Sequence, residues 1–133
     1  MLPILNVVPL IGRVLLAVLF LLSGAQKISA PAGTIAYITA AGLPLPSVAY
    51  AVAVAVEVLG GVLLVLGYRS RWVALAMAVF TLVAGLGFHL HPGDQMQMVN
   101  FLKNLSIAGG LLQVVAFGAG AWSMDARAGR TRG

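Results

Sequence analysis

The sequence predicts an all-α integral membrane protein, an antiparallel bundle of four transmembrane helices in a single domain, 1–133, with a short interfacial helix between helices 1 and 2. Hydrophobic residues make up 61% of the chain and charged residues only 8%, whereas roughly a quarter of an ordinary soluble domain is charged. Such a chain cannot cover a surface that faces water. Four apolar blocks also have about 20 residues each, enough to span the roughly 30 Å of a bilayer core; they are 8–27, 48–67, 72–90 and 98–118.

The first block, VPLIGRVLLAVLFLLSGAQK, has two interpretations. Ser23-Gly24-Ala25 resembles the cleavage site of a secretory signal peptide, since it follows an apolar run. A secretory signal normally begins with basic residues, however, and residues 1–12 carry no charged side chain. We therefore expect this block to be the first transmembrane helix, with cleavage as the alternative.

The connection between the first two blocks, ISAPAGTIAYITAAGLPLPS, holds three of the six prolines. Proline is favoured in the first turn of a helix and glycine just after the last turn. Pro31 and Gly42 therefore predict a short helix that ends at about Ala41. This helix is too short to cross a membrane, so we expect it to lie at the interface with water.

The two remaining connections set the order of the helices. Tyr68-Arg69-Ser70-Arg71 predicts a tight hairpin, which makes the second and third spans antiparallel neighbours. Residues 91–97, HPGDQMQ, predict a polar loop with a Pro-Gly turn.

The basic residues predict the orientation of the bundle. Cytoplasmic segments of membrane proteins are enriched in Lys and Arg. With four spans, the N-terminus, the hairpin and the tail 119–133 share one side, which we expect to be cytoplasmic. The net charge of +5 is then a topology signal that suits contact with anionic lipid headgroups, and no nucleic-acid partner is needed to explain it. Six arginines lie on that side: Arg13, Arg69, Arg71, Arg127, Arg130 and Arg132.

Polar side chains fall at one level of the spans, in the predicted outer half, whereas the inner half is expected to be almost purely aliphatic. An ionised group in hydrocarbon costs at least about 2.5 to 3.5 kcal/mol, so it must pair or reach the interface. Glu57 is too deep to reach the interface, and we expect it to pair with Lys103 or Lys27, which leaves the other lysine as a surplus positive charge. The candidate cluster contains Lys27, Glu57, His89, Asn100, Lys103 and Asn104.

This cluster has two possible roles. It suits a polar or anionic headgroup, such as a quinone carbonyl or an acidic small molecule. It could equally supply only hydrogen bonds between helices, which are worth around 0.6 kcal/mol each on average. His89 and His91 are two residues apart and point to different faces of a helix, so no metal site is expected. The chain has no cysteines, and we expect no intrinsic cofactor.

Several motifs also carry a family resemblance. RVLLAVLFLLSGAQK, AYITAAGLPLP, AVAVEVLGGVLLVLGYRSRW and MVNFLKNLSIAGGLL occur in this order, with His89 before the last and SMDARAGR after it. This order, from about Gly12 to Arg127, resembles the DoxX family of small bacterial four-helix membrane proteins. The resemblance implies a location in the bacterial cytoplasmic membrane. It also implies that five polar positions are typical of the family, without a catalytic role for any of them: Lys27, Glu57, Asn100, Lys103 and Asn104.

The resemblance also implies a functional context. The family is named after a subunit similar to one in a terminal-oxidase-linked thiosulfate:quinone oxidoreductase, and other members are tied to oxidative-stress complexes. We therefore expect a non-catalytic membrane subunit that binds a quinone or small polar molecule, with a membrane or redox protein partner or as a homo-oligomer. The alternative is an accessory or scaffold subunit whose polar cluster is purely structural. Transport is a weaker third hypothesis, because an aliphatic inner half offers no polar route.

Overall fold

The computed structural model describes residues 3–129, which are helical with short connections and contain no strand. Four helical segments are long and apolar enough to cross a membrane, so the predicted fold class is confirmed. The largest shift from the predicted spans is at the first helix, which begins at Ile4 rather than residue 8. The elements are α1 Ile4–Ser29, α2 Pro31–Ala40, α3 Pro46–Leu66, α4 Ser70–Ala84 with a π-helical turn at Gly85–His89, α5 Gln95–Phe117 and α6 Met124–Arg127.

The four long helices pack as two pairs. α1 packs mainly on α3, α4 packs mainly on α5, and α3 and α4 join the two pairs, whereas α1 and α5 barely touch. Small residues allow the close approach within a pair, as is usual between membrane helices. A Cβ atom on Gly61 would lie only 2.7 Å from Leu21 Cδ2. Large apolar side chains remain exposed on all four helices, which suits a surface that faces lipid; examples are Leu15, Leu59, Val79 and Leu112.

The short helix α2 confirms the predicted helix between the first two spans. Pro31 occupies its first turn, and Gly42, at φ +79°, follows its end. Its ten residues rise about 15 Å, which is half of a bilayer core. Ile38 is buried, and the helix packs against α3. α2 therefore covers part of the bundle without spanning it.

The hairpin between α3 and α4 is a tight turn, as the sequence predicts. Gly67 takes the left-handed conformation that ends many helices, and Tyr68 N donates to Leu63 O at 3.0 Å. A side chain at Gly67 would also collide with Ser123 and with the guanidinium group of Arg13. The segment after α5 therefore packs directly against the hairpin.

The last span begins at Gln95, three residues earlier than predicted. The reason is local, because the Asp94 carboxylate accepts a hydrogen bond from Gln97 N at 3.2 Å. An aspartate in this position caps the unpaired backbone N–H groups of the first turn. The helix therefore includes Gln95 to Gln97, which the sequence assigns to a loop.

Candidate functional site

A half-open cavity of about 690 Å³ lies between the helices where α1 ends and α5 begins. We call this part of the molecule the cavity end. Its walls come from α1, α2, α3, α5 and the second half of α4 with the π-helical turn, and they are mostly apolar. The volume falls within the range of about 300 to 1,000 Å³ that is typical of small-molecule sites. The polar residues in the lining are Ser23, Gln26, Lys27, Thr34, Glu57, Thr81, His89 and Asn104.

An ion pair between α1 and α3 forms the charged part of the lining. Lys27 Nζ lies 2.9 Å from Glu57 Oε1, and the Glu57 side chain is only 6% exposed. Lys27 Nζ also donates to Ser23 Oγ at 2.8 Å, and the Ser23 hydroxyl donates to Glu57 Oε1 at 3.2 Å. Ser23 and Lys27 share one face of α1 because they are four residues apart. One carboxylate oxygen of Glu57 is therefore held by two side chains of a single helical turn.

The other carboxylate oxygen, Glu57 Oε2, is buried and makes no hydrogen bond within the described part of the chain. A buried acceptor without a partner costs about 1 to 3 kcal/mol. The residue Glu57 lines the cavity, but Oε2 itself exposes almost no surface there.

The close approach of α1 to α3 at this ion pair depends on Gly24. A Cβ atom there would lie 2.6 Å from Val58 Cγ2 and 3.3 Å from Glu57 Cβ. Any larger residue would push apart the turn that carries Ser23 and Lys27 and the turn that carries Glu57. The glycine therefore sets the distance across which the ion pair forms.

The π-helical turn Gly85–His89 presents two rings to the cavity. The Phe88 ring stacks on the Tyr37 ring of α2, with centroids 5.2 Å apart and planes 11° apart. His89 Nδ1 lies 2.7 Å from Gln97 Oε1 of α5. Because the amide oxygen is an acceptor, Nδ1 is the donor in this pair. Short π-helical turns of this kind are frequent at functional sites, and the sequence gives no sign of this one.

Asn104 contributes to the cavity from α5. Its Nδ2 donates to Thr81 O of α4 at 3.1 Å. A Cβ atom on Gly85 would lie 3.2 Å from the same Nδ2 atom, so α4 and α5 are close here. Asn104 therefore both links two helices and lines the cavity.

Asn100 and Lys103 do not line this cavity. Lys103 is exposed and Asn100 is half-buried. Consecutive helical residues point about 100° apart, so Lys103 cannot share the direction of its neighbour Asn104, which faces α4. Of the two partners expected for Glu57, the structure pairs it with Lys27 and not with Lys103. Lys103, which would be the surplus positive charge, does not line the cavity. The charged residues that line the cavity are one lysine and one glutamate.

A second polar centre lies at the opposite end of the bundle, where the sequence predicts almost only aliphatic residues. We call it the arginine end; it consists of Arg13, the hairpin 67–70 and residues 118–127. Arg13 is 1% exposed. Its Nη1 donates to Leu64 O and Val65 O, each at 2.9 Å, and its Nη2 donates to Trp122 O. The expectation of an aliphatic inner half is therefore wrong.

Asp125 completes the arginine end. Its carboxylate accepts hydrogen bonds from Arg69 N at 2.7 Å and Ser70 N at 2.8 Å, at the start of α4. Its own backbone N donates to Gly67 O at 2.9 Å. The sequence signal for this centre was Arg13, an arginine inside an apolar block. The role of Asp125 had no such signal, because its partners lie more than fifty residues away in the chain. This arrangement ties the tail to the hairpin.

The cavity end is the better candidate for ligand binding, since it combines space with an ion pair in a mainly apolar lining. No group of three or more His, Asp or Glu side chains within residues 3–129 is placed to hold a metal ion. The arginine end instead joins α1, the hairpin and the tail through direct hydrogen bonds.

The fold and the cavity define a small four-helix membrane protein with a half-open, partly polar cavity between its helices. The chain belongs to the DoxX family, whose sequence profile matches residues 8–90. Two proteins of Escherichia coli strain K12 are similar to it along most of their length. The inner membrane protein YphA is 37% identical over 123 residues, which cover 89% of this chain and 88% of YphA. The inner membrane protein YqjF is 37% identical over 119 residues, which cover 87% and 88%. No solved structure matches the chain.

Proposed function

We propose that this protein is a non-catalytic membrane subunit that binds a quinone or another small amphiphilic molecule in its cavity and works with a membrane oxidoreductase system. The observation that carries the proposal is the position of the Lys27–Glu57 ion pair in the lining of an otherwise mainly apolar cavity of about 690 Å³. An amphiphile would place its apolar part against the walls and its polar group beside the pair. Sites for small molecules commonly combine apolar walls with a few polar groups that fix orientation.

The chemistry of the chain supports the proposal of a redox protein partner. The sequence has no cysteine, so it offers no thiol for electron transfer or for an iron–sulfur cluster. A quinone bound here would exchange electrons with a group on another subunit. We propose that the exposed apolar surface of the helices provides the contact with that subunit or with a second copy of the chain.

The proposed orientation places the cavity in the outer half of the cytoplasmic membrane. Arg13 and the hairpin lie at the end opposite to the cavity, together with the tail. The positive-inside tendency would put that end in the cytoplasm. The names of YphA and YqjF describe those relatives as inner membrane proteins, which supports the same membrane for this chain.

The proposal is tested with purified protein in detergent, titrated calorimetrically with a short-chain ubiquinone analogue. The test variant is the double substitution Lys27→Met with Glu57→Gln, because the removal of both partners of a buried pair leaves neither charge unpaired. We expect the dissociation constant to rise roughly tenfold or more, since a hydrogen bond to a charged group contributes about 1.5 to 3 kcal/mol.

The matched control is Lys103→Met, which makes the same change at an exposed lysine outside the cavity. This variant should bind like the unchanged protein. The absence of saturable binding to the unchanged protein would refute the proposal, and so would equal binding by the double variant.

The alternative function is an accessory or scaffold subunit. It is favoured by the fact that Glu57 Oε1, Lys27 and Ser23 already satisfy one another. If the cluster only stabilises the bundle, the double variant should lower the midpoint of thermal unfolding and the yield of any co-purifying complex, and the unchanged protein should bind no quinone analogue.

A further inference from the structure

We infer that the ligand enters and leaves the cavity sideways, from the lipid, through a gap between α1 and α5 that has Lys103 at its edge. This inference rests on the proposed function and specifies how the ligand reaches the site. The ligand class that follows is an amphiphile already dissolved in the bilayer, such as the proposed quinone, and not a solute that arrives from water.

The order of the helices around the cavity leaves one side weakly packed. The helices follow one another as α1, α3, α4 and α5, and each neighbouring pair in that order is packed together. The circle would be closed by α5 and α1, but these two helices barely touch. Both nevertheless line the cavity, α1 with Leu19 and Ser23 and α5 with Asn104 and Ile107. The cavity therefore reaches the side of the bundle on which its two bordering helices are not packed together.

The close contact between α1 and α5 lies nearer to the arginine end. A Cβ atom on Gly110 would lie 3.3 Å from Leu16 Cδ2, so Gly110 is on the face of α5 that points toward α1. A position seven residues away on a helix points within about 20° of the same direction and lies about 10 Å along the axis. Because the two helices run in opposite directions, Lys103 and Ser23 are the positions seven residues from this contact toward the cavity end. Lys103 therefore lies on the face of α5 that points toward α1, at the level of Ser23.

The exposure of Lys103 indicates that the two helices have separated at this level. A residue that points toward a packed neighbouring helix is covered by it, but Lys103 is exposed. On α1, the Ser23 hydroxyl donates to Glu57 of α3 and accepts from Lys27. The gap between α1 and α5 therefore opens beside the ion pair that the proposed function assigns to ligand binding.

The other sides of the cavity between helices are covered. α1 and α3 approach closely at Gly24, and the Asn104 side chain donates to Thr81 O between α5 and α4. α2 packs on α3, and its Tyr37 ring stacks on Phe88 at the end of α4. The remaining alternative to the gap is the corner where α1 meets α2.

The test uses the absence of cysteine from the sequence, because a single introduced thiol can then be labelled selectively. The full-length Lys103→Cys variant is labelled with N-phenylmaleimide and placed in lipid nanodiscs of phosphatidylethanolamine and phosphatidylglycerol. Binding and release of a short-chain ubiquinone analogue are followed by stopped-flow mixing. We expect both rates to fall roughly tenfold while the dissociation constant changes less than about threefold, because an obstructed route slows entry and exit alike.

Three controls locate the effect at the gap. Unlabelled Lys103→Cys should behave like the unchanged protein. Leu105→Cys carries the same label two residues further along, where the exposed side chain points to nearly the opposite side of α5, and both rates should stay unchanged. Gly33→Cys tests the corner between α1 and α2, since Gly33 lines the cavity and a Cβ atom there meets nothing within 4 Å. Its label should slow neither rate.

The outcomes separate this inference from the proposed function. Unchanged rates for labelled Lys103→Cys would overturn the inference alone, and so would slowing of the same size at Leu105 or at Gly33. A large rise in the dissociation constant at Lys103 would also overturn it, because the label would then act on the site and not on the route. Absence of saturable binding to the unchanged protein would overturn the proposed function and the inference with it.

Discussion

The two ends of the bundle both bury charged side chains, but they satisfy them differently. At the arginine end, Arg13 donates to three backbone carbonyls, and both carboxylate oxygens of Asp125 accept from backbone N–H groups. At the cavity end, Glu57 is held by side chains of α1 on one oxygen only, next to a space of about 690 Å³. Backbone partners fix structure, whereas the side-chain ion pair borders a space large enough for a ligand. We therefore expect substitutions at the arginine end to act on stability and substitutions at the cavity end to act on binding.

The largest effect should come from Arg13→Ala. The change removes a fully buried side chain and its three hydrogen bonds to the carbonyls of Leu64, Val65 and Trp122, which we expect to cost about 3 to 5 kcal/mol of the free energy of unfolding. The measurement is an unfolding titration in mixed micelles. Arg127→Ala is the matched control, since this arginine lies at the same end but is exposed. If both variants unfolded at the same midpoint, Arg13 would not be the structural centre of this end.

Gly24→Ala should have the next largest effect, and it should lower both stability and ligand affinity. The added methyl group meets Val58 and Glu57, and overpacking of this kind costs about 1 to 3 kcal/mol. We expect a lower melting temperature together with weaker ligand binding. Gly109→Ala is the control, because a Cβ atom there meets nothing within 4 Å. An alanine that is tolerated equally well at both positions would contradict the proposed close approach of α1 and α3.

A smaller loss is expected for Asp125→Ala. The carboxylate caps the start of α4 from a distant part of the chain, and loss of a helix cap costs about 0.5 to 2 kcal/mol. Proteolysis of the tail should become faster while ligand affinity stays unchanged. Asp94→Ala removes an exposed cap at the cavity end and should cost less. A change in ligand affinity for Asp125→Ala would break the separation between the two ends.

The smallest effect on stability should come from Tyr37→Ala. It removes the stack on Phe88, and aromatic pairs contribute about 0.5 to 1.5 kcal/mol beyond burial. Because both rings line the cavity, we expect the bound molecule to dissociate several times faster, as measured by stopped-flow displacement. Tyr37→Phe keeps the stack and should restore slow release. An unchanged rate for the alanine variant would show that this pair does not close the cavity.

Much of the fold follows from the sequence because bilayer thickness fixes helix length. The four spans are defined by apolar length, and α2 by Pro31 and Gly42. The sequence also narrowed the partner of Glu57 to two lysines, Lys27 and Lys103. It could not decide between these two, because the pairing depends on how far each helix is rotated about its own axis.

Helix rotation is hard to predict in a membrane protein because the core and the lipid are equally apolar. α5 shows the problem. Asn104 faces α4 and Lys103 is exposed, although they are adjacent in sequence. The arginine end escaped prediction for a different reason. Arg13 was assigned to the cytoplasmic side by its charge, but its partners are backbone carbonyls, which every residue carries and no sequence pattern reveals.

The π-helical turn Gly85–His89 has a consequence for how the chain tolerates changes in length. A π turn accommodates one residue more per turn than an α turn, so α4 carries one surplus residue there. Removal of one residue from this segment would let the helix continue as a regular α-helix, because the π turn takes up one residue with little change in the direction of those that follow. Phe88 and His89 would then keep nearly the same directions toward Tyr37 and Gln97. The end of α4 should therefore tolerate the loss of one residue better than the insertion of another.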